Sequence, residues 1–446
     1  MPHGQHDRTY RSHRLRPILV TVLSQRSSSP SPVRVPAGNG QRLQIREGRD
    51  SSTASYLDKL INRRCTDSVK WRRYGEAVLP LWVADMDFPS PEPVIRALRE
   101  RAEHGMFGYG IEPPELRIVI VERLLRLYGW PVAPEAVVFL PGVVTGFNLA
   151  CHAVAAPNAG VLMQTPIYHP MLQAPANAGL TREEAQLTRR EDGQYRIDFN
   201  ALKAAFTDQT RLFILCNPHN PVGRVFQREE LERLADICLR RDVLICSDEI
   251  HCDLLFGGRG HIPIASLAPE IADRTITLMA PSKTFNVPGL RCSLAIVQNA
   301  ELRRRFEAAR GGIVPGVNIM GFEAALAAYR YGQPWLTEVL RYLEANRDFL
   351  ADYVNDHLPG ITMVRPEGTY LAWLDCSQAG IPDNPSQFFL QEAGVALNDG
   401  CAFGRGGEGF VRLNFACPRS ILEEALDRMK SALMCVDHLN STMSAP

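Results

Sequence analysis

Between about residues 137 and 279 the chain alternates short apolar runs with amphipathic stretches, and this alternation restricts the fold more than any other feature. Residues 137–140, 160–163, 211–216, 243–246 and 275–279 are apolar, too short for a helix and followed by turn-forming residues, so each reads as a buried strand. Between two of them, Leu231, Leu234, Ala235 and Cys238 recur at the spacing of one helix face. Strands alternating with helices build a mostly parallel sheet covered on its faces, which is the α/β class.

The pattern changes after about residue 320. Two long helical stretches, 321–331 and 335–357, precede apolar runs at 369–374 and 409–415 and a last helix from 419 to about 434, which predicts a second, smaller α+β domain. The expected organisation is a disordered basic extension at 1–54, an N-terminal segment at 55–100 contributing to the small domain, a large domain at 101–325 and the small domain at 326–440. The extension holds nine arginines against Asp7, Glu47 and Asp50, and its one short apolar run cannot organise a core. It reads as dispensable, with a secretory signal or an organelle transit peptide as the alternatives.

Composition narrows the function by exclusion. Lys plus Arg and Asp plus Glu each total 49, so no net charge draws the chain to nucleic acid. No stretch approaches the roughly 18 apolar residues of a membrane span. The cysteines number eleven, without a CxxC pair or a His/Cys cluster, which points to free thiols in a reducing, cytoplasmic setting and to no metal site.

In open α/β sheets, ligands bind beyond the carboxyl ends of the strands, and here those ends are polar. The run 211–216 is followed by Asn217, Pro218, His219 and Asn220; the run 243–246 by Ser247, Asp248, Glu249 and His251; the run 275–279 by Ser282 and Lys283. The run 137–140 leads into a turn holding Gly142, Val143, Val144 and Gly146, and the run 160–163 leads to Tyr168. Each alone has an ordinary explanation, as a helix cap, a turn or a solvated side chain. Together they suit a phosphorylated heterocyclic aldehyde. A lysine amine condenses with the aldehyde, a carboxylate keeps the ring nitrogen protonated, an aromatic ring stacks, and a helix N-terminus takes the phosphate. That ligand is pyridoxal 5'-phosphate.

Motifs along the chain carry a resemblance: LWVADMDFPSP at 81–91, FGYG at 107–110, CNPHNPVGRV at 216–225, SDEIHCDLLF at 247–256, SKTFNVPGL at 282–290, EGTYLAWLD at 367–375 and GFVRLNFACPR at 409–419. From about Tyr56 to Met434 the chain resembles the fold type I, aspartate-aminotransferase-like pyridoxal phosphate enzymes, and among them the MalY/PatB group of cystathionine β-lyases. The resemblance implies Lys283 as the Schiff-base lysine, with Ser282 beside it, and Asp248 as partner of the pyridinium nitrogen. It further implies Asn220 on the phenolic oxygen with His251 nearby, Tyr168 stacked on the ring, and the amides of Val143 and Val144 on the phosphate. Tyr109 would reach the phosphate in the neighbouring subunit, which implies a homodimer with shared active sites. Arg412 would bind the substrate α-carboxylate. Alternation along a strand places Asn414 on the same face, as a second substrate-binding residue.

Two positions depart from the pattern. Related enzymes commonly place a phosphate-binding serine where this chain has Ala280, and Arg291 stands where many aminotransferases, but often not these lyases, place a phosphate-binding arginine. The expected reaction is α,β-elimination from a sulfur-bearing L-amino acid to pyruvate, ammonia and a thiol. An aminotransferase is the alternative, and a pyridoxal-phosphate-binding regulatory protein the third reading. The glycine-rich loop at 404–409 precedes an apolar run instead of opening a helix, so it reads as a turn and not a nucleotide loop.

Overall fold

A seven-stranded sheet occupies the centre, in the spatial order Val137–Leu140, Ser293–Ile296, Thr275–Met279, Leu244–Asp248, Thr210–Cys216, Gly160–Thr165 and Thr181–Gln186. The computed structural model describes residues 56–443, with side chains to 435; the expected extension at 1–54 lies outside the described residues. All strands run parallel except Ser293–Ile296, which is antiparallel to both neighbours.

Alternation along the strands separates two cores. On Thr210–Cys216, Leu212, Ile214 and Cys216 face the core shared with Phe147, Met171 and Phe306, while Phe213 and Leu215 face the one shared with Leu202, Leu231 and Leu234. Both faces are therefore roofed by helices, which is why these strands read as continuous apolar runs. Phe147 is completely buried, and its truncation to Ala costs about 3–5 kcal/mol. Gly146, in the first turn of the helix Val143–Ala153, lets that helix lie close on the sheet: a Cβ there would come within 2.7 Å of the Leu278 side chain.

Two strands of this seven-stranded sheet escape the sequence reading. Thr181–Gln186 is an edge strand with largely exposed, charged residues, and it lacks an apolar run because its faces are left largely uncovered, whereas the opposite edge strand, Val137–Leu140, is buried and apolar throughout. Ser293–Ile296 is only four residues long.

A second, four-stranded antiparallel sheet has the order Thr362–Met363, Leu371–Asp375, Phe410–Asn414 and Asn398–Asp399. The long helix Gln333–His357 and the last helix, Arg419–Met443, pack in the same core as its strands. The N-terminal segment joins this core: Leu79–Pro80 pairs with Val395–Ala396, and Leu81, Met86 and Phe88 pack with Leu371 and Leu413. Residues 82–88 then run as irregular backbone past the carboxyl ends of the large sheet, so both sheets contribute to one rim.

Candidate active site

At that rim lies a cavity of about 580 Å³, within the range of small-molecule sites. Its wall includes Val143, Val144, Tyr168, Asn220, Asp248, His251, Ser282, Lys283, Arg291 and Arg412. Strand register explains part of this convergence. Cys216 pairs with Asp248, and Asp248 with Leu278, so three chain segments turn off the sheet at one level.

Lys283 lies on the short helix Pro281–Thr284, which starts just beyond the strand Thr275–Met279 with proline in its first turn, where a missing N–H costs nothing. The helix is pinned from behind: the Thr284 hydroxyl donates to Asp253 at 2.9 Å, and Arg123 pairs with the same carboxylate at 2.6 Å. Lys283 Nζ donates to the Ala84 carbonyl at 2.5 Å. Burial and the nearby Arg412 charge lower its pKa to about 8, against the opposing pull of Asp85 and Asp248. A lysine so placed is readily neutral and nucleophilic.

Asp248 ends its strand fully enclosed, accepting the Ile250 amide at 3.0 Å. Burial, with a smaller push from Glu249, raises its pKa to about 7, while the Ile250 amide and Lys283 oppose the rise. It forms no ion pair among the described residues. A buried carboxylate of this kind calls for a cation that arrives with the ligand.

Arg412 is the mirror image. It is 3% exposed, and its guanidinium donates to Asn220 Oδ1 at 3.0 Å, the Trp82 carbonyl at 3.0 Å and Asn398 Oδ1 at 2.6 Å, all neutral acceptors. Its Nε has no partner, and burial lowers its pKa to about 10. A buried guanidinium held only by neutral groups is built to receive an anion.

His251 is kept neutral, driven well below its ordinary range by burial and by Lys283 and Arg412. Tyr168 immediately precedes the helix His169–Asn177, and burial raises its phenol pKa. The helix Val143–Ala153 begins at Gly142 without a side-chain cap, leaving the first-turn amides free beside Ser282 and Arg291. Ala280 is buried and carries no hydroxyl, so it offers a phosphate nothing.

Two expected site residues lie elsewhere. Asn414 does not line the cavity: its amide donates to the Val83 and Asp85 carbonyls at 2.6 and 2.7 Å and accepts the Ala416 amide at 2.8 Å. The expected substrate-binding role gives way to one of holding the 82–88 segment, because both its amide hydrogens are given to that segment. Tyr109 is fully exposed and lies outside the cavity wall of its own chain.

The cavity also includes Trp82, Ala84, His169 and Asn398, which sequence reasoning did not single out. Trp82 falls inside the first motif and His169 directly follows Tyr168, so each had a local signal. Asn398 had none; it reaches Arg412 because strand pairing sets the two opposite each other. Ala84 contributes a carbonyl oxygen, which no side-chain pattern announces.

These residues fit pyridoxal phosphate. The donor set is a free helix N-terminus, a lysine that is readily deprotonated, a buried carboxylate without a cation and a buried arginine without an anion.

The chain matches the aminotransferase class I and II family over residues 76–429, and it belongs to that family. It is 41% identical over 386 residues to the cystathionine beta-lyase PatB of Bacillus subtilis strain 168, covering 84% of this chain and 99% of PatB. Among solved structures it superposes on OvoB with a TM-score of 0.81 at 46% identity, covering 84% of this chain and 98% of OvoB. It superposes on a pyridoxal-phosphate-bound C–S lyase from Staphylococcus hominis with a TM-score of 0.80 at 35% identity, covering 85% and 98%.

Proposed function

We propose that this protein is a pyridoxal-phosphate-dependent carbon–sulfur β-lyase that eliminates a thiol from a sulfur-bearing L-amino acid such as cystathionine, leaving pyruvate and ammonia. When bound, pyridoxal phosphate supplies an aldehyde for amine condensation and a ring that withdraws electrons from the substrate Cα. Asp248 holds a proton on the ring nitrogen. Lys283, with its pKa near 8, would hold the aldehyde, and its free amine would serve as the general base that takes the substrate Cα proton. Asn220 and Tyr168 would orient the ring, while the amides of Val143 and Val144, with Ser282 and Arg291, would hold the phosphate. Arg412 clamps the α-carboxylate, and Trp82 and Val83 wall off water beside it.

What carries the reading is the convergence of Lys283, Asp248 and Arg412 on one cavity, the last two buried without a partner of opposite charge. The test is product analysis with cystathionine, with and without a 2-oxo acid, using Lys283→Ala as control. Pyruvate formed without the 2-oxo acid is the expected result. Turnover that depends on the 2-oxo acid would replace this reading with transamination.

A homodimer with shared sites is part of the proposal. Met106, Phe107, Tyr109 and Ile111 form an exposed, largely apolar loop suited to burial against a second copy. Mixing Tyr109→Phe with Lys283→Ala protein should restore activity in hybrid dimers, and subunit exchange without recovery would reject a shared site. A cytoplasmic setting is also proposed, supported by cysteines that are all unpaired. Among the described residues no helix is long and apolar enough to cross a membrane.

A further inference from the structure

His169 lines the same cavity as Arg412, yet nothing assigned above uses it. Its ring packs edge-on against Tyr168, with centroids 5.0 Å apart, and against Phe403 at 6.2 Å. Phe403 also lies under the Arg412 guanidinium at 4.9 Å from the ring centroid. The ring makes no hydrogen bond, and its Nδ1 is buried without a partner. Burial and the Arg412 charge lower its pKa, so the imidazole is neutral and carries one N–H. Placing that hydrogen on the enclosed Nδ1 would strand a donor, whereas Nε2 is not enclosed and can donate outward from a residue that lines the cavity. Arg412, with its planar fork, is the stronger seat for the α-carboxylate, and Phe403 packs against both side chains. The His169 donor is therefore available to the rest of the substrate.

Resting on the lyase reading, we propose that His169 selects the β-substituent. Its ring N–H donates to an acceptor on the arm carried by the substrate's sulfur, favouring cysteine conjugates that bear a carboxylate or other acceptor there over purely alkyl ones.

The test compares cystathionine with S-butyl-L-cysteine, whose arm has similar length and no acceptor, in the cofactor-loaded wild type, His169→Phe and His169→Gln. His169→Phe should lower kcat/KM for cystathionine about 10- to 100-fold and leave S-butyl-L-cysteine within about threefold. His169→Gln, which restores a donor, should recover part of the loss. Binding of the two analogues with methylene in place of sulfur, L-2-aminooctanoate for the alkyl arm, should divide in the same way by calorimetry. Equal losses on both arms would make His169 a support for Tyr168 or the α-carboxylate, and no loss on either would make it a wall; both overturn the proposal. If the wild type forms no pyruvate, the lyase reading fails, while the binding comparison still decides the role of His169.

Discussion

Lys283 and Tyr370 hydrogen-bond the same atom: the Ala84 carbonyl oxygen accepts the lysine Nζ at 2.5 Å and the tyrosine hydroxyl at 2.9 Å. That carbonyl belongs to the irregular segment 82–88, whose polar groups have no sheet or helix to satisfy them. Distant side chains take over: Arg412 on Trp82, Asn414 on Val83 and Asp85, and Asn286 on Met86 and Phe88. Lys70 and Arg63 pair with Asp85 and Asp87 from outside. The lysine of the site is thus held by the wall it faces.

The depressed Lys283 pKa has a measurable consequence for stability. Between about 8 and the ordinary 10.5, the unfolded chain holds a proton on Lys283 that the folded chain has released, so stability rises with pH across that window. Below pH 8 the folded protein carries the whole cost of a buried ammonium, roughly 3 kcal/mol. Cofactor-free Lys283→Met should therefore be more stable than wild type at pH 7, with an advantage that shrinks toward pH 10.5. Denaturant midpoints across this range measure it, and a difference that stays flat with pH would contradict the shift.

Asp248 behaves in the opposite sense. Its folded pKa of about 7 exceeds the ordinary 3.8, so between these values the folded protein keeps a proton the unfolded chain has lost, and stability falls as pH rises. Asp248→Asn should stabilise the cofactor-free protein by a few kcal/mol above pH 7 and leave it little changed near pH 4. In the loaded enzyme the same change should lower kcat by about 100-fold or more, because the ring nitrogen loses its partner. Thermal melts at the two pH values and steady-state rates read the two halves separately.

Removing the Arg412 charge should separate binding from stability. Arg412→Leu deletes a buried charge that lacks an anion but strands the three acceptors it served, Asn220 Oδ1, Asn398 Oδ1 and the Trp82 carbonyl, so the cofactor-free Tm should change little, while KM for the amino acid rises about 100-fold. Arg412→Lys keeps the charge but not the fork, and should raise KM by about tenfold. A KM unchanged in both variants would place the carboxylate elsewhere.

Asn414→Leu should do the reverse. It strands two carbonyls and one amide, costing about 2–4 kcal/mol in denaturation, while KM changes far less than in Arg412→Leu. A large KM effect at unchanged stability would return Asn414 to the substrate.

Much of this protein was determined locally. Apolar runs such as 211–216 become buried parallel strands because a sheet roofed on both faces needs apolar residues at consecutive positions, and the polar residues just beyond them, Asn220, Asp248 and Lys283, fall at the carboxyl ends where such sheets bind ligands. Those features are fixed by neighbours in the chain and can be read from it. The exposed edge strand Thr181–Gln186 could not be read, since a strand whose faces are left largely uncovered needs no apolar signature. The division of labour between Arg412 and Asn414 was equally hidden. Strand alternation puts both on one face and both reach segment 82–88, but only the folded chain shows that Asn414 gives both amide hydrogens to that segment while the Arg412 Nε keeps no partner. Tertiary structure alone decided that outcome, because a hydrogen bond between groups some 330 positions apart depends on which carbonyls the fold leaves unsatisfied.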